Sequence, residues 1–330
     1  MRALVTGATG FLGSHLVEEL LVNDYQVSVL VRKTSNLEYL ENLSELTILY
    51  GDLNDVNSLV LAFRDQDIIF HNASAFNEWG PYKFFHQHNV VGTKNVVNAA
   101  LKNSLEKIVY TSTADIYKYD KIDSYNENSK IKPYGNYQKS KIRAEKVLDE
   151  CSSEYGLKIS KIRPPGIMGP RNDYMAARIA NSVSQRRVPL IGSGKQIKSY
   201  VDVRDAAFCL RLAAENENAF GKNLNVTSFE ANVTDYWSTA ATILEKEIEF
   251  IHYPYSIAYF FGFLSEVIGK ITFRKNVPRA TRYRINYFGK DYIIDSTNAR
   301  NILKYKPKYN FIQSMKDMLL TWLNKNKGRN

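Results

Sequence analysis

The chain is predicted to adopt an α/β fold, a doubly wound parallel sheet with a smaller α/β unit toward the C-terminus. Two observations predict it. Short β-branched runs alternate with amphipathic stretches from Arg2 to Arg163, and the first run enters a glycine-rich turn that opens a helix. Such alternation requires right-handed crossovers, which place helices on both faces of a parallel sheet.

The strand-like runs are ALVT (3–6), QVSVLV (26–31), LTILY (46–50), DIIFH (67–71), KIVYT (107–111) and LKISKI (157–162). Helical stretches lie between most of them. SHLVEELLVN, ending near Asn23, follows the first run, and Asn89 to Leu101 carries apolar residues at three- and four-residue spacing. After Pro164 the alternation loosens, and Pro164, Pro165, Gly166, Gly169 and Pro170 concentrate there. This divides the chain into 1–165 and 166–330, with an interleaved boundary.

Composition bounds the function. The 330 residues are 44% apolar and 24% charged, enough for one large or two medium cores. Cys151 and Cys209 cannot build a disulfide framework, so nothing asks for an oxidising compartment. The net charge of +10 invites a nucleic-acid partner, but residues 270–330 hold 15 Lys or Arg against three Asp or Glu, a net of +12. Residues 1–269 hold 29 against 31, a net of −2, so the basicity is local and no nucleic-acid partner is expected. The N-terminus lacks the basic, apolar and cleavage regions of a secretory signal, and a cytoplasmic location is expected.

The first strand runs into Thr6-Gly7-Ala8-Thr9-Gly10-Phe11-Leu12-Gly13. Gly7 permits the tight turn, Gly10 lets amides approach a pyrophosphate at the positive end of the helix, and Gly13 lets that helix pack on the strand. A merely structural turn is the alternative, but strand, turn and helix stand in the required order. The unit 1–165 is therefore expected to be a dinucleotide-binding Rossmann domain, with Gly7, Thr9, Gly10, Phe11 and Leu12 on the cofactor. The second strand ends at Val31-Arg32-Lys33 with no carboxylate to accept the ribose hydroxyls of NAD. Arg32 and Lys33 suit a 2′-phosphate, which favours NADP over NAD; two solvated surface residues are the alternative.

Residues 109–117, VYTSTADIY, place hydroxyls at a strand end, and 134–145, YGNYQKSKIRAE, place Tyr137 and Lys141 on one helix face. A neighbouring ammonium favours phenolate, so Lys141 is expected to lower the Tyr137 pKa. Thr113 can donate to the substrate oxygen. His71 is expected to satisfy a core hydrogen bond, and His86 and His88 lack partners spaced as ligands, so no metal site is expected. Asp52 alone suits a turn or helix cap.

With these residues the chain resembles the extended short-chain dehydrogenase/reductase family along nearly its whole length. The matching stretches are TGATGFLG, GDL at Gly51, HNASA at His71, NVVGT at Asn89, TST at Thr111, YGNYQKSK, RPPGIMGP at Arg163 and SYVDVRDAA at Ser199. The resemblance implies that Asp52 and Leu53 lie near adenine and that Ala73, Ser74 and Ala75 flank the phosphates and ribose. It implies that Ser112, Tyr137 and Lys141 also meet the cofactor, that Pro164, Gly166 and Ile167 border the nicotinamide, and that Thr113, Tyr137 and Lys141 are the catalytic set. The family most often has Ser at position 113; Thr keeps the donor and adds a methyl.

The second half, expected to bind substrate, contains FIHYPYSIAYFFGFLS (250–265), without a formal charge and too short to span a bilayer. Its helical part carries Ile257, Phe260, Phe261, Leu264, Ile268 and Ile271 on one face and Ala258, Gly262, Ser265 and Gly269 on another. Lys270, Arg274, Lys275, Arg279, Arg282 and Arg284 follow. Three readings stay open for 255–284: a peripheral membrane contact, a buried helix capping the pocket beside a solvated basic flank, or cations holding an anionic substrate group. The C-terminal part resembles the 3-beta-hydroxysteroid dehydrogenase and dihydroflavonol reductase branch. That resemblance implies an NAD(P)-dependent oxidoreductase acting on a secondary alcohol or ketone of an apolar, steroid-, flavonoid- or lipid-like substrate. A nucleotide-sugar epimerase or dehydratase is the alternative, and family habit implies a homodimer. A cofactor-sensing protein without turnover is disfavoured, because all three catalytic side chains are present.

Overall fold

A computed structural model of the chain describes residues 1–119, 123–272, 274, 276–278 and 280–327. Lys275 and Arg279 of the basic flank lie outside the described residues. The central sheet joins β1 (Arg2–Thr6), β2 (Gln26–Val31), β3 (Leu46–Tyr50), β4 (Ile68–His71), β5 (Lys107–Thr111), β6 (Lys158–Arg163) and β10 (Asn223–Asn225). All neighbours are parallel, in the order β10-β6-β5-β4-β1-β2-β3. The order turns back between β1 and β4, which opens a crevice at their carboxyl ends.

Two apolar layers cover the sheet. On one face α1 (Phe11–Val22) and α7 (Val203–Glu215) bury Leu16, Val17, Leu20, Ala206 and Leu210 against Val27, Val29 and Phe70. On the other, α2 (Val56–Ala62), α4 (Gly92–Lys102) and α5 (Asn136–Tyr155) bury Leu59, Val96, Val97, Ala100, Ala144 and Leu148. Helix α1 starts at Phe11, earlier than its apolar pattern suggests, because Gly10 in extended conformation caps it. Helix α4 starts at Gly92 because α3 (Tyr82–Phe85) runs into a π-helical turn, His86–Val91, that contains Asn89.

The second half builds its own core between α6 (Asp173–Ser184), α8 (Val233–Ile243) and α12 (Phe311–Asn326), with Ile179, Tyr236, Met315 and Met318 buried among them. Strands β7 (Gly166–Met168), β9 (Ile197–Asp202) and β11 (Phe229–Asn232) form a small sheet, and β8 (Arg187–Ile191) pairs with β12 (Glu249–Tyr253). Helices α9 (Tyr255–Ile271), α10 (Arg282–Gly289) and α11 (Thr297–Leu303) also belong to the second half. The halves interleave: α7 and β10 lie beyond residue 165, yet α7 packs on α1 and β10 extends the main sheet.

Helix α9 stands opposite to a core helix. Gly262 is buried where a Cβ would strike the Ile285 side chain, and Gly269 is buried against Trp79 and Pro278. The large apolar face points outward, with Phe260 57% and Ile271 71% exposed. Of the three open readings, full burial of this helix does not hold, although Ile257, Ala258 and Phe261 on it border a large cavity. The small residues allow the close approach, and the bulky ones do not fit there. No helix among the described residues is long and apolar enough to cross a membrane.

Candidate active site

A cavity of about 1400 Å³ starts at the crevice between β1 and β4 and extends into the second half. Its first wall is backbone. Gly7 has φ +71°, and a Cβ there would stand 2.7 Å from the Ala73 backbone. A Cβ on Gly13 would strike the Gly7 carbonyl, so only glycine lets α1 sit this close to β1. No side chain caps α1, and Gly10, Phe11 and Leu12 at its N-terminus line the cavity. A backbone cradle at a helix N-terminus fits the pyrophosphate of a dinucleotide.

The expected residues are brought together along this wall. Gly7, Thr9, Gly10, Phe11, Leu12, Arg32, Asp52 and Leu53 line one end, and Ala73, Ser74, Ala75, Ser112 and Thr113 follow. Tyr137, Lys141, Pro164, Gly166 and Ile167 border the middle. Lys33 is the exception: it is exposed and outside the lining, in the turn that follows Arg32 beyond the end of β2. The Arg32 N–H donates to Ser35 Oγ (3.1 Å), which adds a cavity-lining hydroxyl that sequence reasoning missed. Asp52 lines the cavity and also fixes a turn, accepting from the Asn54 N–H at 2.8 Å.

Asn89, from the π-helical turn, accepts from the Ala75 N–H (2.7 Å) and donates to Ser140 Oγ (2.9 Å), tying the Ala73–Ala75 loop to α5. His71 is buried between Thr6 Oγ1 (3.0 Å) and Thr93 Oγ1 (2.9 Å), and burial brings its pKa down to about 3. It is a neutral core hydrogen-bonding group.

The Ser112 N–H donates to the Ile162 carbonyl (2.7 Å) and the Ala114 N–H to that of Pro164 (2.8 Å), which holds the end of β5 in place. Thr113 Oγ1 accepts from the Asp115 N–H at 3.1 Å. Tyr137, in the first turn of α5, lies edge-on to Phe76 with ring centres 5.1 Å apart. Burial and the nearby Asp115 carboxylate push its phenol up, and a hydrogen bond with Ser74 works against them. Lys141, one turn on, is 1% exposed. Its Nζ donates to the Thr111 carbonyl at 2.5 Å and stands 4.2 Å from the Tyr110 ring centre, while burial brings its ammonium down to about 7. The expectation that Lys141 lowers the Tyr137 pKa is therefore corrected. The two share a helix face, but the buried ammonium turns to the carbonyl acceptor beneath it. Under both, Glu145 and Arg163 form a buried bidentate pair (2.9 and 2.5 Å), and Arg163 also donates to the Tyr117 oxygen at 3.1 Å.

Sequence reasoning missed three further groups. Asp115 lines the cavity, accepts from the Tyr283 hydroxyl at 3.2 Å, and is pushed up to about 6 by burial. Its signal lay in the segment already singled out, two residues after Thr113. Lys198 is buried within 4.9 Å of the Tyr287 ring centre and brought down to about 7. Glu78 accepts from Arg178 and Arg284 and from the Tyr174 hydroxyl at 3.1 Å, joining residues that nothing in the sequence spacing connects. Arg282 pairs with Glu266 (2.7 Å), so two cations of the expected basic flank are neutralised within the fold.

Comparison with known proteins agrees with this geometry. Residues 3–227 match the model of the NAD dependent epimerase/dehydratase family. The chain is 26% identical over 321 residues to the mouse (Mus musculus) sterol-4-alpha-carboxylate 3-dehydrogenase, decarboxylating, covering 93% of this chain and 86% of that protein. It is 28% identical to the N-acetyl-alpha-D-glucosaminyl-diphospho-ditrans,octacis-undecaprenol 4-epimerase of Escherichia coli O157:H7, covering 86% and 84%. With the 2-alkyl-3-oxoalkanoate reductase of Stenotrophomonas maltophilia it shares 29% identity over 65% and 66% of the chains. Among solved structures, UDP-glucose 4-epimerase from Thermotoga maritima superposes with a TM-score of 0.80 at 22% identity over 98% and 99% of the chains, a likeness of fold. A glycine cradle, a matching family model and relatives along most of the length together place this chain in the NAD-dependent epimerase/dehydratase family, as an enzyme acting on CH–OH groups.

Proposed function

We propose that the protein oxidises or reduces a secondary alcohol or ketone on an apolar, sterol- or lipid-like body, with NADP as its preferred cofactor. The far half of the cavity carries this reading: Phe76, Met175, Ile179, Trp237, Ile257 and Phe261 line it. Its charged Glu78 and Asp115 are balanced by Arg178 and Arg284, so this part of the lining carries no excess charge near neutral pH. The relatives' names support an apolar body, since they specify a sterol, an undecaprenol and an alkyl-oxoalkanoate.

The nicotinamide, when bound, supplies or accepts hydride. The chain's own groups manage the oxygen and its proton. Thr113 Oγ1 accepts from the Asp115 N–H, so its hydroxyl proton is available to the substrate oxygen. Tyr137 gives that oxygen a proton in reduction and takes it in oxidation. Lys141, held on the Thr111 carbonyl, keeps two further N–H donors for the nicotinamide ribose. The deciding measurement is NADPH absorbance with sterol, flavonoid-like and long-chain keto substrates beside nucleotide-sugars. Turnover on the apolar class is expected; turnover only on nucleotide-sugars would overturn the reading. The alternative, a 4-epimerase or dehydratase, has the Escherichia coli relative in its favour and predicts product without net NADPH consumption.

Two variants probe the details. Arg32→Ala should weaken NADPH binding about 10- to 100-fold, the worth of a charge-assisted hydrogen bond, and leave NADH binding unchanged. Equal loss for both cofactors would remove the NADP preference. Asp115, ionised above about pH 6, opposes a negative charge on Tyr137. Asp115→Asn should therefore move the Tyr137 limb of the pH–rate profile for alcohol oxidation to lower pH, and an unmoved limb would disprove the coupling.

A further inference from the structure

We infer that the outer face of α9 is an interfacial docking surface for an anionic lipid membrane, and that it sets the mouth of the cavity against the lipid so that substrate enters without crossing water. The second clause rests on the apolar-substrate reading above; the first does not. Ile257, Phe260, Phe261, Ile268 and Ile271 are each at least 50% exposed along one side of a 17-residue helix. An aromatic and aliphatic face of this kind lies in the headgroup boundary with its axis along the membrane plane. The face is continuous with the cavity mouth. Ile257 and Phe261 line the cavity, as do the exposed Phe84 and Tyr253.

Charge selects the occupant. Glu266 is the only acid in α9, and Arg282 engages it through its backbone N–H and guanidinium at 2.7 to 2.9 Å. Lys270 and Arg274 at the helix end are exposed and form no ion pair among the described residues. A second copy docked through α9 brings this helix's own charges, with no unengaged acid, to meet those cations. Anionic headgroups meet them, at about 1 kcal/mol per cation near the surface.

The test is sedimentation of the full chain with phosphatidylcholine vesicles and with vesicles of phosphatidylcholine and phosphatidylglycerol in equal parts, at low and high salt. A vesicle affinity roughly 30-fold greater with phosphatidylglycerol at low salt is expected, as two cations near a charged surface provide. Lys270→Gln with Arg274→Gln should remove the phosphatidylglycerol preference. Phe260→Glu with Ile268→Glu should abolish pelleting; neither residue lines the cavity, so NADPH binding and turnover of a short soluble ketone should persist and report a folded protein. Ile271→Ser is a milder change at the same face and should lower pelleting in part. Absence of pelleting, or pelleting unchanged in the glutamate variant, overturns the inference. So does a wild-type dimer that Ile268→Glu splits, which would give the face to a second copy. Failure of the substrate reading would show as absent turnover with pelleting intact, so the two failures are distinct.

Discussion

Tyr137→Phe is expected to lower kcat by about 100- to 10,000-fold, the range for loss of a general acid or base, while NADPH affinity stays nearly unchanged. The substitution keeps the ring that packs edge-on against Phe76 and Phe85 and removes only the hydroxyl. Ser74 loses one partner but still donates to Asn89 Oδ1 at 3.2 Å, so the loop between β4 and the π-helical turn keeps its tie. The loss therefore belongs to proton transfer and not to collapse of the wall. Thr113 supplies the control. Thr113→Ser retains the donor and should keep most activity, whereas Thr113→Val should lose it with the backbone intact. Steady-state kinetics with fluorescence titration of NADPH separates the effects, and wild-type turnover by Tyr137→Phe would overturn the assignment.

Glu145→Ala is expected to cost about 3–5 kcal/mol of stability, because it leaves the Arg163 guanidinium charged and unpaired in a buried site. The two side chains are 6% and 2% exposed, and their bidentate contact ties α5 to β6. Glu145→Leu combined with Arg163→Met removes both charges and should recover most of the loss. Urea unfolding of wild type, single and double variants measures this. A single variant as stable as wild type would show that the pair contributes nothing. The pH dependence has a definite sign. Burial alone would raise the Glu145 pKa, but the hydrogen bonds and charge of Arg163 hold it below the ordinary glutamate range. Its contribution is thus present above that ordinary range and fades as pH falls through the lowered value, in wild type and not in the double variant.

Much of the nucleotide end was legible because its physics is local. Six strands of the main sheet are short β-branched runs, and the glycine turn needs residues that are contiguous in sequence. Strand β10 was not legible: it is three residues long, Asn-Leu-Asn, and only its edge beside β6 makes it a strand. Tyr137 and Lys141 were placed correctly on one helix face, but periodicity does not say where a long side chain finds its acceptor, and Lys141 found the Thr111 carbonyl. Glu78 with Arg178 and Arg284 joins three distant segments and left no pattern to read. In α9 the apolar stripe was visible, and its direction was not. The buried glycine face decides it, and that depends on what stands opposite.

The interleaving of α7 and β10 with the first half governs how the enzyme can be re-engineered. Joining residues 1–165 of this chain to the second half of a relative would pair α1 with a foreign α7 and the open edge of β6 with a foreign strand. Such a two-piece hybrid asks two unrelated surfaces to complete one core. A workable graft retains host residues from Val203 through Asn225 and imports only the flanking segments, so transplanting substrate preference takes three junctions where the linear order of the chain suggests one.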